Sequence, residues 1–331
     1  MVRRGLVAAA AGTLLIAVLF VLVPRLSGAV ASGLGDLGGA DPSWLTLTAT
    51  GFLFSGVASA AAWHRGLLVS GARLGPWEVI RGYASGSFAN ALAPAQAGEA
   101  VRVALLSRAM RSEGAVFTTM GVAAAVSIVR ATLVAVLLAV TLGLDRSLLW
   151  LAFMLLAVAI LAVAVPVTGS RFGWRRAAHF LDVARGLVAN PRGAVAFCGW
   201  LALSTAGKVF AAACAAQALG VQHPLAAAFV IVPTLELVGF LPLTPGNVGL
   251  TSAAVALALR EHGVPVAQAV GVGIGLHAVE TLVGVVFGGV CALSFASWTS
   301  SRARFVFGAA GLAVLLGAAA TIAIGLGAEV L

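Results

Sequence analysis

The sequence is poor in charged residues and has a single lysine, Lys208. Only 9% of its 331 residues are Asp, Glu, Lys or Arg, against about 25% in soluble globular proteins. It also lacks any polar stretch of about 50 residues, the lower limit for a soluble domain, and the short alternating segments of a transmembrane β-barrel. Because 61% of the residues are hydrophobic and the mean hydropathy is +1.08, these absences leave an all-α polytopic membrane protein.

Catalytic signatures are missing as well. The chain has no P-loop, no His-Glu-x-x-His motif and no nucleophile elbow. Glu236, His277 and Glu280 could imitate a metal site inside the membrane, but their spacing fits no ligand pattern. We therefore expect no enzymatic activity, metal or cofactor. The net charge of +9 does not indicate a nucleic-acid partner, because the arginines cluster between apolar spans, where they set topology and contact headgroups.

Apolar runs of about 20 residues, long enough to span a bilayer, recur along the chain. We predict about seven full spans, the second of which has Trp44 and Trp63 at its ends as interface anchors. Two further stretches, 82–98 and 225–259, are broken by prolines and glycines. The full spans are expected at 6–23, 44–63, 115–142, 148–167, 193–219, 264–295 and 305–326.

The arginines also predict the orientation of the chain. By the positive-inside rule, Arg3 and Arg4 hold the N-terminus in the cytoplasm, and the basic segments 65–81 and 102–111 are then both cytoplasmic. The stretch 82–98 between these segments is too short for two spans, so it must enter and leave on the same side. We therefore predict a re-entrant hairpin there.

The two halves of the chain resemble each other. An offset of 151 residues carries Pro94 onto Pro245 and superposes spans of the first half on apolar runs of the second. The topology gives the halves opposite orientations, and inverted repeats with broken helices are a recurring transporter plan. Chance superposition of apolar runs is the alternative. We predict one membrane domain, 1–331, with a first repeat at 1–145, a second repeat at 146–300 and an extra span at 301–331.

Both broken stretches combine apolar residues with proline and glycine. Proline removes an amide donor and disfavours the helix before it, and irregular backbone at membrane depth must be buried or line a wet cavity. The helices that restart would present free N–H groups suited to a phosphate; ordinary packing kinks are the alternative. The residues concerned are Asn90, Pro94, Gly98, Glu99 and Arg102 in and directly after the first stretch, and Pro242, Pro245, Gly246, Asn247 and Gly249 in the second.

Ionisable residues inside spans cost about 2.5–3.5 kcal/mol each on insertion scales, so they are functional candidates. They are Arg130, Lys208, Glu236, His277 and Glu280. The offset of 151 places Arg130 beside Glu280, and we predict that these two residues pair across the bundle. The alternatives are a purely structural ion pair for Arg130 and Glu280, snorkelling for Lys208, and a satisfied core histidine for His277. For Glu99 and Arg102, three residues apart, the alternative is a salt bridge on the surface of their helix.

The two motifs, Ser87 to Arg102 and Leu241 to Gly249, resemble those of the transmembrane region of lysylphosphatidylglycerol synthases, a flippase-like family of integral membrane proteins. The resemblance covers nearly the whole chain and implies a flippase for a lipid or lipid-linked glycan. Many family members have a glutamate shortly after the second glycine, where this chain has Leu250, Thr251 and Ser252. The soluble aminoacyl-transferring domain of full synthases is missing, so we do not expect this chain alone to aminoacylate lipids. The matching positions are Asn90, Pro94, Gly98, Glu99, Arg102, Pro242, Pro245, Gly246 and Gly249.

Together these features predict a flippase-like transporter in the bacterial inner membrane, with phospholipid or lipid-linked glycan and the bilayer as partners. It would move an anionic lipid or a polyprenyl-phosphate-linked glycan between leaflets by rocking one half against the other, with Arg102, Arg130 and Lys208 holding the phosphate. One alternative is a non-transporting scaffold for a glycosyltransferase or lipid-modifying enzyme. The other is an ion-coupled carrier of small solutes that uses Glu236, His277 and Glu280.

Overall fold

The computed structural model describes residues 38–92, 97–112, 114–142, 182–239 and 249–296, and the regular structure within them is entirely α-helical. The predicted all-α fold is thereby confirmed for this part of the chain. Residues 182–189 form a short helical stretch. The longer helices are α1 Pro42–Val69, α2 Pro76–Leu92, α3 Ala97–Met110, α4 Ala115–Leu142, α5 Pro191–Ala218, α6 Pro224–Gly239, α7 Leu250–Glu261 and α8 Val266–Ala296.

Four of these helices, α1, α4, α5 and α8, are long and apolar enough to cross a membrane. They correspond to four of the predicted spans, and their ends lie within about six residues of the predicted ones. The predicted spans at 6–23, 148–167 and 305–326 lie outside the described residues. The total number of spans, the inverted repeat and the division of the chain into repeats stay predictions.

Proline marks the start of several helices. Pro42, Pro76, Pro191 and Pro224 each occupy the first helical position, where a missing N–H costs no hydrogen bond and the fixed φ angle already suits a helix. Asp41 caps α1, because its Oδ1 accepts a 2.9 Å hydrogen bond from the Ser43 amide and another from the Ser43 hydroxyl. The bond from the Ser43 hydroxyl and then the amide bond lower the pKa of Asp41.

The chain turns back between α2 and α3. With 17 and 14 residues, these helices extend only about 25 and 21 Å, less than the roughly 30 Å of a bilayer core. Gly98 lies against Gly86 and Asn90 at the start of α3, and further along α3 Leu106 lies against Gly82. A later residue of α3 therefore contacts an earlier residue of α2, as in an antiparallel hairpin. The hairpin was predicted at 82–98, and its helices extend further, from Pro76 to Met110. Its re-entry into a membrane stays a prediction.

The described residues separate into two compact units, and several helices contribute to both. The core of the second unit is formed by Trp63, Leu67, Phe197 and Leu201 with neighbouring aliphatic side chains. The first unit consists of the described residues of Met1–Leu53, Ala84–Gly98 and Gly207–Leu331, and the second of those of Phe54–Tyr83 and Glu99–Ala206.

Glycines bring helices of the first unit into close contact. A β-carbon at Gly273 of α8 would lie within 3.0 Å of the Ser252 carbonyl oxygen of α7, and one at Gly288 would meet the Ala84 carbonyl oxygen and Phe88 of α2. Small residues are enriched where membrane helices pack, because they let backbones approach closely. Helix α8 therefore packs closely against α7 and against α2, in each case at a glycine.

The second broken stretch comprises most of α6 and α7 and the break between them. Helix α6 ends at Gly239, and α7 begins at Leu250 after Gly249, whose φ of 82° and ψ of −46° suit glycine alone. The candidates Pro242, Pro245, Gly246 and Asn247 lie outside the described residues, as does Pro94 of the first stretch. Helix α6 also contains Pro233, a proline that the sequence analysis did not use.

Replacing Gly249 by alanine should lower the stability of the protein by about 1–3 kcal/mol, the usual cost of a strained backbone conformation. The reason is the positive φ, since a β-carbon disfavours that region. The midpoint of thermal unfolding in detergent measures the effect. Gly199→Ala is the control, because position 199 lies within α5 and has open space around it. Equal midpoints for the two variants would show that the turn before α7 does not require glycine.

Candidate functional site

Arg102 lies inside the second unit between two aromatic rings. Its side chain is 7% exposed, and its Cζ lies 4.1 Å from the centre of the Tyr83 ring and 5.3 Å from that of the Trp63 ring. Such cation–π contacts contribute about 0.5–2 kcal/mol each, with the larger values in dry surroundings. Helices α1 and α2 thus supply an aromatic clamp for an arginine of α3.

Glu99 forms an ion pair with Arg102, and Arg102 Nη1 donates to Glu99 Oε2 at 2.6 Å. The pairing follows from their spacing of three residues on α3. The alternative of a salt bridge along the helix is thus present as a contact, with Arg102 buried and the Glu99 side chain 37% exposed. The pair therefore has one buried end and one accessible end.

Arg130 reaches the same tyrosine from α4. Its Nη2 donates to Ser59 Oγ at 2.7 Å and to the Tyr83 hydroxyl at 3.4 Å. Ser59 Oγ lies 2.7 Å from Ser204 Oγ, so hydroxyl groups continue the polar network from α1 to α5. We call Trp63, Tyr83, Glu99, Arg102 and Arg130 the arginine cluster.

Sequence reasoning missed the aromatic members of this cluster. Trp63 was predicted to be an interface anchor, which is wrong, because it is 1% exposed and belongs to the core. Tyr83 is the only tyrosine of the chain, which is a weak signal that could have drawn attention to it. Their positions depend on how α1, α2 and α3 pack, and the hydropathy pattern of the sequence does not predict that packing.

Lys208 and Glu236 form an ion pair in the first unit. Lys208 lies near the middle of α5 and Glu236 near the end of α6. Their side chains are 20% and 18% exposed. The ammonium group of Lys208 thus meets a carboxylate on the neighbouring helix. The sequence predicted each residue as a candidate and did not predict their pairing.

Asn90 and Gly98 are joined across the hairpin. The Gly98 amide, at the second position of α3, donates to Asn90 Oδ1 at 2.7 Å. The end of α2 thus caps the start of α3, and it satisfies one of the amides that a helix N-terminus leaves open. The prediction of free N–H groups at this restart is wrong at Gly98. In the second stretch, Gly249 precedes α7 and makes no side-chain cap.

His277 and Glu280 lie one turn apart on α8, as predicted. Both are half-buried, and both ring nitrogens of His277 are shielded and have no hydrogen-bond partner among the residues described. A satisfied core histidine is therefore not what the structure shows. Arg130 and Glu280 belong to different units, and their pairing stays a prediction. Among the described ranges, no group of three His, Cys, Asp or Glu residues could hold a metal ion.

Comparison with known proteins identifies a family. No curated protein matches the chain. The family described as the lysylphosphatidylglycerol synthase TM region matches residues 6–288, which is most of the sequence. Together with the four long apolar helices, this match makes the chain a multi-pass membrane protein related to lipid handling. The chain belongs to the family of the lysylphosphatidylglycerol synthase transmembrane region.

Proposed function

We propose that the protein moves an anionic lipid, or a polyprenyl-phosphate-linked glycan, between the leaflets of the bacterial cytoplasmic membrane, with its N-terminus in the cytoplasm. The observation that carries the proposal is the convergence of Arg102 and Arg130 on Tyr83. Arg130 is the single charged residue of α4 and lies near its middle. The proposed activity moves the lipid and leaves it chemically unchanged.

The energetics of the arginine cluster support a role in binding an anion. Arg130, near the middle of α4, costs about 2.5–3.5 kcal/mol to insert into a membrane. Its hydrogen bonds offset part of this cost without removing the positive charge. Guanidinium groups bind phosphate through paired N–H donors, and they do so more strongly in surroundings of low polarity. A phosphate headgroup is therefore the substrate chemistry that this cluster fits best.

The mechanism that we propose uses the two broken stretches as the moving parts. Transporters with inverted repeats bind substrate near the bilayer midplane, and one repeat then rocks against the other. The hairpin of α2 and α3 carries Tyr83 and Arg102, so its movement would carry the phosphate-binding groups with it. The glycan or acyl chains would remain in lipid or in a water-filled path while the phosphate crosses.

Replacing Arg102 or Arg130 by alanine should slow lipid translocation at least about tenfold. A hydrogen bond to a charged group contributes about 1.5–3 kcal/mol, and about 1.4 kcal/mol corresponds to a factor of ten in rate. The measurement uses purified protein in liposomes that contain dithionite-quenchable lipids of varied headgroup. Arg108→Ala is the matched control, because Arg108 is an exposed arginine on the same helix, and it should retain the wild-type rate.

Two results would contradict the proposal. One is a translocation rate for Arg102→Ala and Arg130→Ala equal to that of Arg108→Ala. The other is no translocation of any lipid by the wild type, with both cluster variants folded and still able to complement a deletion in cells; that result would favour a scaffold. An ion-coupled carrier is the second candidate, favoured by the shielded His277 ring and the Lys208–Glu236 pair. It requires transport that follows an imposed proton or sodium gradient.

A further inference from the structure

Arg102 has a hydrogen-bond donor that no described residue accepts. Its Nη1 binds Glu99, while its Nε–H is buried and has no acceptor among the residues that the structure describes. The rings of Tyr83 and Trp63 also lie against the guanidinium. The Nε–H is therefore the atom of this side chain that a further acceptor would bind.

Trp63 presents a second donor of the same kind. Its indole Nε1–H is buried and lacks an acceptor within the described ranges, and its ring lies against the guanidinium of Arg102. More than nine in ten buried polar groups in proteins have a hydrogen-bond partner. Two such exceptions on side chains that touch each other point to a ligand that brings several acceptor atoms, as a phosphate does.

The carboxylate of Glu99 occupies the place on Arg102 where the phosphate of a ligand could bind. Its carboxylate binds the buried Arg102, yet its own side chain is 37% exposed, against 7% for Arg102. The carboxylate can therefore leave for water, while the arginine cannot follow it. An incoming phosphodiester would bring one negative charge in exchange for one, so the charge of the site is the same before and after the exchange.

We infer that Glu99 is an internal counter-ion of Arg102 that the phosphate of the lipid displaces, and that Trp63 Nε1 donates a hydrogen bond to the bound phosphate. This inference rests on the proposed function and extends it to the order of events at the site. Binding breaks the Arg102–Glu99 pair, and release of the lipid on the other side restores it. Glu99 thus lowers the affinity of the site for the lipid phosphate and favours release of the lipid.

Glu99→Gln should bind a phosphodiester about tenfold more tightly than the wild type, because the competing carboxylate is gone. The probe is dihexanoyl phosphatidylglycerol, titrated calorimetrically into the full chain in detergent. Translocation by the variant should slow, since release becomes limiting. Asp182→Asn is the control, because Asp182 and Arg185 form an ion pair of the same spacing on an exposed surface. Equal or weaker binding by Glu99→Gln, with Asp182→Asn unchanged, would overturn the exchange.

Two further variants keep the inference testable if Glu99→Gln does not fold. Glu99→Asp weakens the pair and keeps its charge, so binding should tighten about threefold; unchanged binding would overturn the exchange. Trp63→Phe keeps the ring and removes the N–H, so binding should weaken about fivefold. An unchanged affinity of Trp63→Phe would show that Nε1 does not contact the phosphate.

The source of the phosphate and the proposed function are tested separately. Inorganic phosphate should bind much more weakly than the lipid, and equal affinity for both would overturn the assignment to a lipid. If the wild type binds the lipid and Glu99→Gln binds it more tightly, but no lipid is translocated, the exchange holds and the transport function fails. If translocation depends on Arg102 but not on Glu99, the function holds and the exchange fails.

Discussion

Gly98→Ala is expected to destabilise the protein by about 3 kcal/mol, at the upper end of the range for overpacking. A β-carbon at position 98 would lie within 3.0 Å of the Gly86 carbonyl oxygen and of Asn90 Oδ1. The first of these atoms belongs to the backbone, so no side-chain rotation relieves the clash. α2 and α3 would have to separate, and the hydrogen bond from Gly98 to Asn90 would be lost with their contact.

The control for this prediction is Gly56→Ala. Gly56 lies inside α1, and no atom would come within 4 Å of a β-carbon there. Alanine favours the helix by about 0.5–1 kcal/mol over glycine, so this variant should be as stable as the wild type or slightly more stable. Thermal unfolding in detergent measures both variants. Equal stability of Gly98→Ala and Gly56→Ala would show that the hairpin is not as closely packed as described.

Lys208→Met is expected to cost about 3 kcal/mol. The substitution keeps a side chain of similar length but removes the ammonium group from Glu236, and both residues are about four-fifths buried. Breaking a buried ion pair from one side costs about 3–5 kcal/mol, whereas interhelical hydrogen bonds in membranes average only about 0.6 kcal/mol. The first range applies because the partner is a full charge, and its lower end applies because the pair retains some exposure.

The double variant Lys208→Met with Glu236→Gln separates the two effects. Removing both charges should recover more than half of the loss, since the buried carboxylate is then gone. Arg185→Gln is the control, because it breaks the exposed pair with Asp182 and should change stability by less than about 1 kcal/mol. A double variant no more stable than Lys208→Met would show that the carboxylate of Glu236 is not the cause of the loss.

Much of the fold follows from the sequence, because hydropathy and proline specify helices directly. The limits of α4 were predicted to the residue, since its apolar run is continuous and membrane helices satisfy their own backbone groups. The first hairpin was predicted from Pro94 and from the basic segments on either side, but its helices include Arg81 and Arg102, which were placed outside it. The division of the described residues into two units was not predicted, because Tyr83 and Ala84 are neighbours in one helix and differ only in what they pack against.

The candidate site was predicted only in part, and the missing part depends on packing between helices. Arg130 was predicted because charge is rare in such spans, and Arg102 because it belongs to the motif of the first broken stretch. Trp63 was assigned to the wrong environment, since an aromatic ring near the end of a span fits both an interface and a core. Lys208 and Glu236 are 28 residues apart, and no periodicity within one helix relates them. Their contact depends on how α5 and α6 pack.

The contact of Gly288 with Ala84 has a consequence for biogenesis. Helix α8 covers this part of α2 but is made about 200 residues later. At roughly 5–20 residues per second, synthesis needs about 10–40 seconds to cover that distance. During this interval the nascent hairpin leaves the ribosome without the helix that packs against it. Translation therefore delays completion of the first unit until most of the chain has been inserted.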